Sequence, residues 1–338
     1  MVTRYSRQEL VRNIGKEGQR KISQNSVVLI GCGALGTHVA NILVRAGIRK
    51  LTIIDRDFIE IHNLQRQILF NEEDIVNGLP KAVAAKNHLE KINSEVEIKP
   101  IVTDVNFTNI ENLLEDSNVV IDGTDNFSTR YLINEACDKL SIPWVYGSGI
   151  ATGGMSMTII PGRSPCFACQ FPEQPPIEFA LSCDTAGVLS TAISISASIQ
   201  STEVLKILLG KFEELNKCLI EFDVWNLTFN KFEIRKNLSC TICSKKEYKL
   251  LNGNKGLSIS TLCGQNAIQL IDLGAEPPDF ILLEKRIGDF TEVRANKFML
   301  KFSLDNKEAT VFNDGRTIIK GVSNELEAKS FYNKYIGG

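Results

Sequence analysis

The stretch Val27-Val28-Leu29-Ile30-Gly31-Cys32-Gly33-Ala34-Leu35-Gly36 constrains this 338-residue chain more than any other run of its length. Four aliphatic residues lead into Gly-x-Gly-x-x-Gly, and small and apolar residues at helical spacing follow. A buried strand that turns sharply into a helix uses all of it, because glycines permit the tight turn and close strand–helix packing. The first N–H groups of such a helix, and its dipole, then face the turn and can stabilise a phosphate. Asp55 stands nineteen residues past Gly36, at the end of the next apolar run, where a carboxylate can bond a ribose hydroxyl. Glycines that serve packing alone would look the same, and the fingerprint suits NAD as well as other nucleotides. Nucleotide identity is therefore left to residues further on.

Short apolar runs at 26–30, 51–54, 96–101, 119–121 and 144–146 alternate with segments of helical period such as Lys81–Ile92. That alternation predicts an α/β fold with a doubly wound, Rossmann-like parallel sheet. Residues 149–161 are glycine-rich and then alternating, so the sheet is expected to turn antiparallel there. The prolines of 166–176 predict a loop. Residues 188–209 read as a buried helix stopped by Gly210, and 218–224 and 227–234 as two further strands. Lys, Asn and Gly crowd 248–256, which places a linker between a large domain at 1–246 and a small α+β C-terminal module at 247–338. In the module, 297–304 and 308–312 read as strands around the turn Asp305-Asn306, and 325–335 as a closing helix.

With 38 basic against 40 acidic residues there is no net field to draw in nucleic acid or an anionic membrane. Residues 1–21 lack the apolar core of a secretory signal, and no apolar run reaches membrane-spanning length. Nine cysteines, four of them in two Cys-x-x-Cys pairs, point to metal or redox chemistry in a reducing, cytoplasmic setting.

After the second strand the chain reads Asp55-Arg56-Asp57-Phe58-Ile59-Glu60-Ile61-His62-Asn63-Leu64-Gln65-Arg66-Gln67, then Gly78-Leu79-Pro80-Lys81 and, later, Asp122-Gly123-Thr124-Asp125-Asn126. This set resembles the MoeB, ThiF and HesA family of ubiquitin-activating-enzyme-like adenylyltransferases. The resemblance implies that Gly31, Gly33, Gly36, Asp55, Asp57, Asn63, Gln67 and Asn126 line an ATP site. It also implies that Arg66 and Lys81 act on the phosphates and that Asp125 handles Mg2+. Arg4-Tyr5-Ser6-Arg7-Gln8 matches too, which implies a homodimer in which Arg7 reaches the partner subunit's ATP site. The chemistry is consistent with these residue types. Attack of a carboxylate on an α-phosphate builds negative charge that a guanidinium fork, an ammonium and a carboxylate-held metal can stabilise.

Cys166-Phe167-Ala168-Cys169 and Cys240-Thr241-Ile242-Cys243 have the spacing of paired zinc ligands. Seventy residues separate the pairs, so spacing alone leaves redox Cys-x-x-Cys chemistry open; the resemblance implies one closed, structural Zn2+ site. Cys183, in Ala180-Leu181-Ser182-Cys183-Asp184-Thr185, matches the family's segment over the active site. There it is either a thioester or persulfide nucleophile or an incidental loop cysteine. Cys32 lies inside the glycine loop, where a bound nucleotide would shield it from alkylation. His38, His62 and His88 form no ligand spacing. The tail Tyr335-Ile336-Gly337-Gly338 resembles a carrier's Gly-Gly end but is read as ordinary terminal glycine. The expected reaction is ATP-dependent adenylation of the C-terminal glycine of a small ubiquitin-like sulfur carrier, MoaD-like or ThiS-like, with pyrophosphate released. A thiocarboxylate for molybdopterin or thiazole synthesis then follows, its sulfur coming from a donor such as a cysteine desulfurase. The alternatives are an NAD-dependent oxidoreductase and a carrier-binding scaffold without turnover.

Overall fold

In the computed structural model, residues 4–173, 186–253, 256–262, 267–275 and 277–337 are described. They form two compact units, Met1–Asn252 and Gly253–Gly338.

The first unit is built on an eight-stranded sheet ordered β3-β2-β1-β4-β5-β6-β7-β8. Its strands are β1 (Ser26–Ile30), β2 (Lys50–Ile54), β3 (Glu97–Ile101), β4 (Val119–Asp122), β5 (Trp144–Ile150), β6 (Gly153–Ile159), β7 (Cys218–Asp223) and β8 (Thr228–Glu233). From β3 through β5 all neighbours are parallel, and from β5 onward all are antiparallel. The expected change of direction thus falls at the Gly-rich stretch, where β5 turns back into β6. Strand order reverses between β1 and β4, which opens a crevice at their carboxyl ends, the usual ligand position in such sheets.

Successive β1 side chains point to opposite faces, and both faces are covered. Val27 and Leu29 pack with the helices α1 (Ala34–Ala46) and α2 (Lys81–Ile92) and with the long helix at Ser190–Leu208. Val28 and Ile30 pack with the helix at Phe127–Leu140 and with Phe167 of the first Cys-x-x-Cys. In chain order the latter two helices are α3 (Phe127–Leu140) and α4 (Ser190–Leu208). A strand buried on both sides must be apolar throughout, which is why β1 reads as an unbroken aliphatic run. Within residues 166–176, expected as a loop, a single helical turn forms at Phe167–Gln170.

One ion pair crosses the core beneath the crevice. Arg130 of α3 donates from Nε to Asp122 Oδ2 at 2.8 Å, with side chains 5% and 0% exposed. Thr124 bonds the other carboxylate oxygen twice, from its amide at 2.9 Å and its hydroxyl at 2.6 Å. Residues 247–252 go with the first unit because α3 holds them. Tyr248 donates to Asp138 at 2.9 Å, and the amides of Leu250 and Leu251 donate to Glu135 at 2.9 and 3.0 Å.

The second unit carries a six-stranded antiparallel sheet ordered β11-β12-β13-β14-β10-β9. Its strands are β9 (Leu257–Leu262), β10 (Ala267–Asp272), β11 (Val293–Ala295), β12 (Met299–Leu304), β13 (Lys307–Phe312) and β14 (Thr317–Lys320), and its helices α5 (Phe280–Gly288) and α6 (Glu325–Tyr335). Leu270, Leu300, Val311 and Ile319 pack against Leu283, Ile287 and Phe331 of those helices. Asp305 and Asn306, both at positive φ, make the tight β12–β13 turn. The terminus is tied down: Arg286 donates to the Ile336 carbonyl at 2.8 Å, and Gly337 donates to Tyr332 O at 2.8 Å.

Replacing Arg130 strands a buried carboxylate, so Arg130→Met should lower the unfolding free energy by about 3–5 kcal/mol. Urea denaturation reads this as a lower midpoint at unchanged slope; an unaltered midpoint would refute the pair's role in stability.

Candidate nucleotide and metal sites

Two turns meet at the crevice, and glycines are what let them. Gly31 has φ +89°, and a Cβ there would stand 2.7 Å from the Gly123 carbonyl group. A Cβ on Gly36 would stand 2.1 Å from Gly31 O. Neither position accepts a side chain. Gly33 differs: it is the N-cap of α1, without a side-chain cap, and a Cβ on it would meet nothing nearer than Gln67 Nε2 at 3.9 Å. Protein packing does not require glycine there; close approach of a ligand to the open amides of α1 would.

Asp55 joins this turn to the one after β2. Its Oδ2 accepts from Cys32 N at 2.6 Å and its Oδ1 from Asp57 N at 2.7 Å. Each oxygen keeps a second lone pair for a hydroxyl. Burial pushes the Asp55 carboxyl up from its ordinary pKa, and the Lys81 charge pulls it back. Lys81 opens α2 and is 7% exposed, with Nζ 3.2 Å from Asp57 Oδ2. Its place is set by backbone, since Lys81 N donates to Asp57 O at 2.8 Å next to a Phe58–Pro80 bridge. Burial alone would lower the ammonium's pKa. Asp57 first, then Asp55 and Asp125, outweigh burial and hold it above its ordinary value. The result is a buried, permanently charged cation among three carboxylates.

Asp125 is exposed, and among the described residues its carboxylate has no hydrogen-bond partner, although Lys81 and Arg130 both feel its charge. An exposed, unpartnered carboxylate suits Mg2+, which takes few protein ligands and keeps waters and phosphate oxygens. Gln67 is 3% exposed with Oε1 unpartnered, close to Gly33. The crevice thus gathers Gly31, Gly33, Gly36, Asp55, Asp57, Lys81, Gln67 and Asp125.

Other expected residues have local duties. Asn63 Oδ1 accepts from Glu60 N at 2.9 Å, capping a short 3-10 turn. Asn126 caps α3 by accepting from Ser128 N and Thr129 N. Arg66 is half-buried and donates to His62 O at 2.8 Å, without a bond to the crevice residues. Arg7 is exposed in the short helix Ser6–Glu9. Cys183 lies outside the described residues. Cys32 needs no ligand to shield it: its side chain is 0% exposed and burial raises its thiol pKa well above the ordinary range. Sequence reasoning passed over Arg130, whose only signal is its place one turn into the helix that Asn126 caps.

The four Cys-x-x-Cys sulfurs converge. Sγ–Sγ separations are 3.9 Å for Cys166–Cys169, 3.6 Å for Cys166–Cys240 and 3.4 Å for Cys169–Cys243, with all four within 4.8 Å of one another. A tetrahedral ion with bonds of about 2.3 Å requires edges of about 3.8 Å, so the set is compatible with zinc. All four thiols are free, and the convergence of the two pairs favours one shared metal over two separate redox pairs.

Residues 5–242 match the sequence model of the ThiF family. The chain is 39% identical, over the full length of both proteins, to the sulfur carrier protein ThiS adenylyltransferase of Bacillus subtilis. Over 71% of its length it is 34% identical to 90% of the sulfur carrier protein adenylyltransferase of Thermus thermophilus. A crystal structure of Escherichia coli MccB with ATP aligns at TM-score 0.63 and 24% identity, covering 71% of this chain and 74% of MccB, which is a likeness of fold. Among the described residues no helix is long and apolar enough to cross a membrane.

The glycines should separate in mutagenesis. Gly36→Ala forces backbone apart and should lower the melting temperature by many degrees or prevent folding, while Gly33→Ala should stay within about 0.5–1 kcal/mol of wild type. Thermal denaturation of the two variants checks this; equal losses would refute the reading of Gly33.

Proposed function

The chain belongs to the ThiF family, and from that premise we propose that it is an ATP-dependent adenylyltransferase acting on the C-terminal glycine of a small ubiquitin-like sulfur carrier. The observation that carries this is Lys81, held charged among Asp55, Asp57 and Asp125 beside the uncapped start of α1. The NAD-dependent alternative accounts for the glycine loop and Asp55 but gives Lys81 and Asp125 no role. Phosphoryl chemistry uses both, one as counter-charge and one as a metal ligand.

In the proposed reaction a carboxylate oxygen of the carrier's terminal glycine bonds to the α-phosphorus of ATP. The bond from that phosphorus to the bridging oxygen breaks, and pyrophosphate leaves with the electron pair. The α1 amides at Gly33 and Lys81 stabilise charge on the phosphate oxygens. Asp55 accepts a ribose hydroxyl, and Gln67 offers an uncharged donor beside the loop. Asp125 would hold Mg2+, which when bound supplies charge neutralisation to the phosphates. Arg66 adds a second cation after its side chain leaves the His62 carbonyl. Arg7, exposed and without a hydrogen bond or ion pair among the described residues, acts across a homodimer. The product is the carrier's acyl adenylate, a mixed anhydride open to sulfur. A persulfide on a donor such as a cysteine desulfurase attacks the acyl carbon as AMP leaves, and a second thiol then cleaves the acyl disulfide, leaving the thiocarboxylate and a disulfide; attack by the Cys183 thiol gives a thioester instead.

Full-length similarity to a ThiS adenylyltransferase, second unit included, favours a ThiS-like carrier and thiazole synthesis over a MoaD-like carrier and molybdopterin. Cys166, Cys169, Cys240 and Cys243 hold a structural Zn2+, since four thiolates leave no coordination position for a substrate. A reducing, cytoplasmic location suits four cysteines kept as thiolates for a metal.

Carrier-dependent ATP–pyrophosphate exchange with magnesium tests the reading. Wild type should exchange only with a carrier that keeps its terminal glycine, and better with a ThiS-like than a MoaD-like one. Lys81→Ala and Asp125→Ala should each lose about 100–1,000-fold; a carrier that docks without exchange would leave only a scaffold. Elemental analysis should find one zinc per chain, and Cys240→Ser should lose it together with thermal stability. A fully stable, metal-free wild-type chain would overturn the zinc assignment.

A further inference from the structure

Asp125 is exposed, yet the chain is fixed on both sides of it, on one of them by a buried guanidinium. On one side the Arg130 guanidinium, which bonds Asp122 from Nε, uses Nη2 to bond the Thr124 carbonyl at 2.6 Å and the Gly147 carbonyl at 3.3 Å. On the other side Asn126 caps α3. Two aromatic rings hold the guanidinium, with its carbon 5.3 Å from the Phe127 centroid and 5.0 Å from that of Tyr146. An ion pair this deep gains little over well-packed apolar residues, so stability alone is a weak reason to keep one. A planar fork can do what an apolar side chain cannot: tie β4, through Asp122, and β5, through Gly147, to the carbonyl that immediately precedes Asp125.

Resting on the adenylation reading, we infer that Arg130 is a positioning residue for magnesium–ATP: it sets the Thr124–Asp125 backbone so that the Asp125 carboxylate faces Lys81 across the phosphate site. Arg130 touches neither metal nor nucleotide in this arrangement. Lysine in its place keeps the charge beside Asp122 but cannot bond the carboxylate and the Thr124 carbonyl together from one rigid plane. Phe127→Leu removes one ring while leaving every hydrogen bond of the guanidinium in place. Both variants should therefore loosen the turn to different degrees.

The test measures ATP affinity by calorimetry on the full chain, with and without magnesium, next to carrier-dependent exchange. In wild type magnesium tightens ATP binding. In Arg130→Lys that tightening should shrink about tenfold, and in Phe127→Leu about two- to threefold, with magnesium-free ATP affinity unchanged. The magnesium midpoint of exchange should rise in parallel. A purely structural Arg130 would lower the melting temperature and the folded fraction but leave the magnesium effect per folded chain at the wild-type value. That result in either variant overturns the inference, and Phe127→Leu alone decides if Arg130→Lys does not fold. Wild type that binds magnesium–ATP yet gives no exchange with either carrier type overturns the adenylation reading instead.

Discussion

The carbonyl oxygen of Gly31 lies where a Cβ on Gly36 or on Gly123 would stand, 2.1 and 2.4 Å away. That crowding brings the turn after β1 against the turn after β4, the two strands between which the order of the sheet reverses. Any side chain in either place would wedge the crevice open and move Asp55 and Asp125 apart. Two of the crevice carboxylates are tied to these two turns. Asp55 takes its bond from Cys32 in the first, and Asp125 sits in the second, between Thr124 and the α3 cap. Backbone contact, which has no rotamers to lose, thus sets the distance scale for side chains that do.

Charge is arranged on that frame in a fixed order of burial. Arg130 and Asp122 lie deepest and satisfy each other; Lys81 comes next, 7% exposed, outnumbered by carboxylates; Asp57 and Asp125 reach solvent. Burial works against the Lys81 ammonium, and the three acids around it outweigh that and raise its pKa above the ordinary value. Such a site carries excess negative charge when empty. It favours a ligand that brings its own cation, as a magnesium–triphosphate does, over one that brings only anionic phosphates.

Much of the first unit could be read directly because its signals are local. The β1 run, the glycine loop and the Pro80-Lys81 helix start each follow from a few adjacent residues, and Ser26–Ile30 and Lys81–Ile92 form with the expected bounds. Convergence of Cys166 and Cys169 with Cys240 and Cys243 could be read only in part, because spacing says nothing about which segments meet across seventy residues. Asn63 and Asn126 carry a second use that only the fold reveals: their motif positions imply ligand contacts, and their Oδ1 atoms also cap backbone amides. Arg130 was illegible because a lone arginine in a helix reads as a surface charge, and its partner Asp122 lies on a strand whose neighbours are all apolar. In the second unit β9, β10, β11, β14 and α5 were not legible: β11 and β14 span only three and four residues, and β10 carries the buried polar Gln269 in mid-strand.

Helix α3 links the two ends of the first unit. Its first turns carry Arg130 and the Asn126 cap. Asn134, one turn on, accepts from Phe167 N at 3.0 Å within the first Cys-x-x-Cys. Beyond that, Glu135 and Asp138 hold residues 246–251, the stretch just after Cys243. A metal bridging Cys166 and Cys240 closes a loop spanning 74 positions, and removing that freedom from the unfolded chain favours the fold. The same closure presses Phe167 and Phe171 onto Tyr146, the ring that backs the Arg130 guanidinium. A metal held by the four cysteines would therefore be remote from the crevice in chemistry but not in mechanics. The cluster braces one side of the aromatic box, α3 supplies the other, and the turn bearing Asp125 is held by the arginine between them.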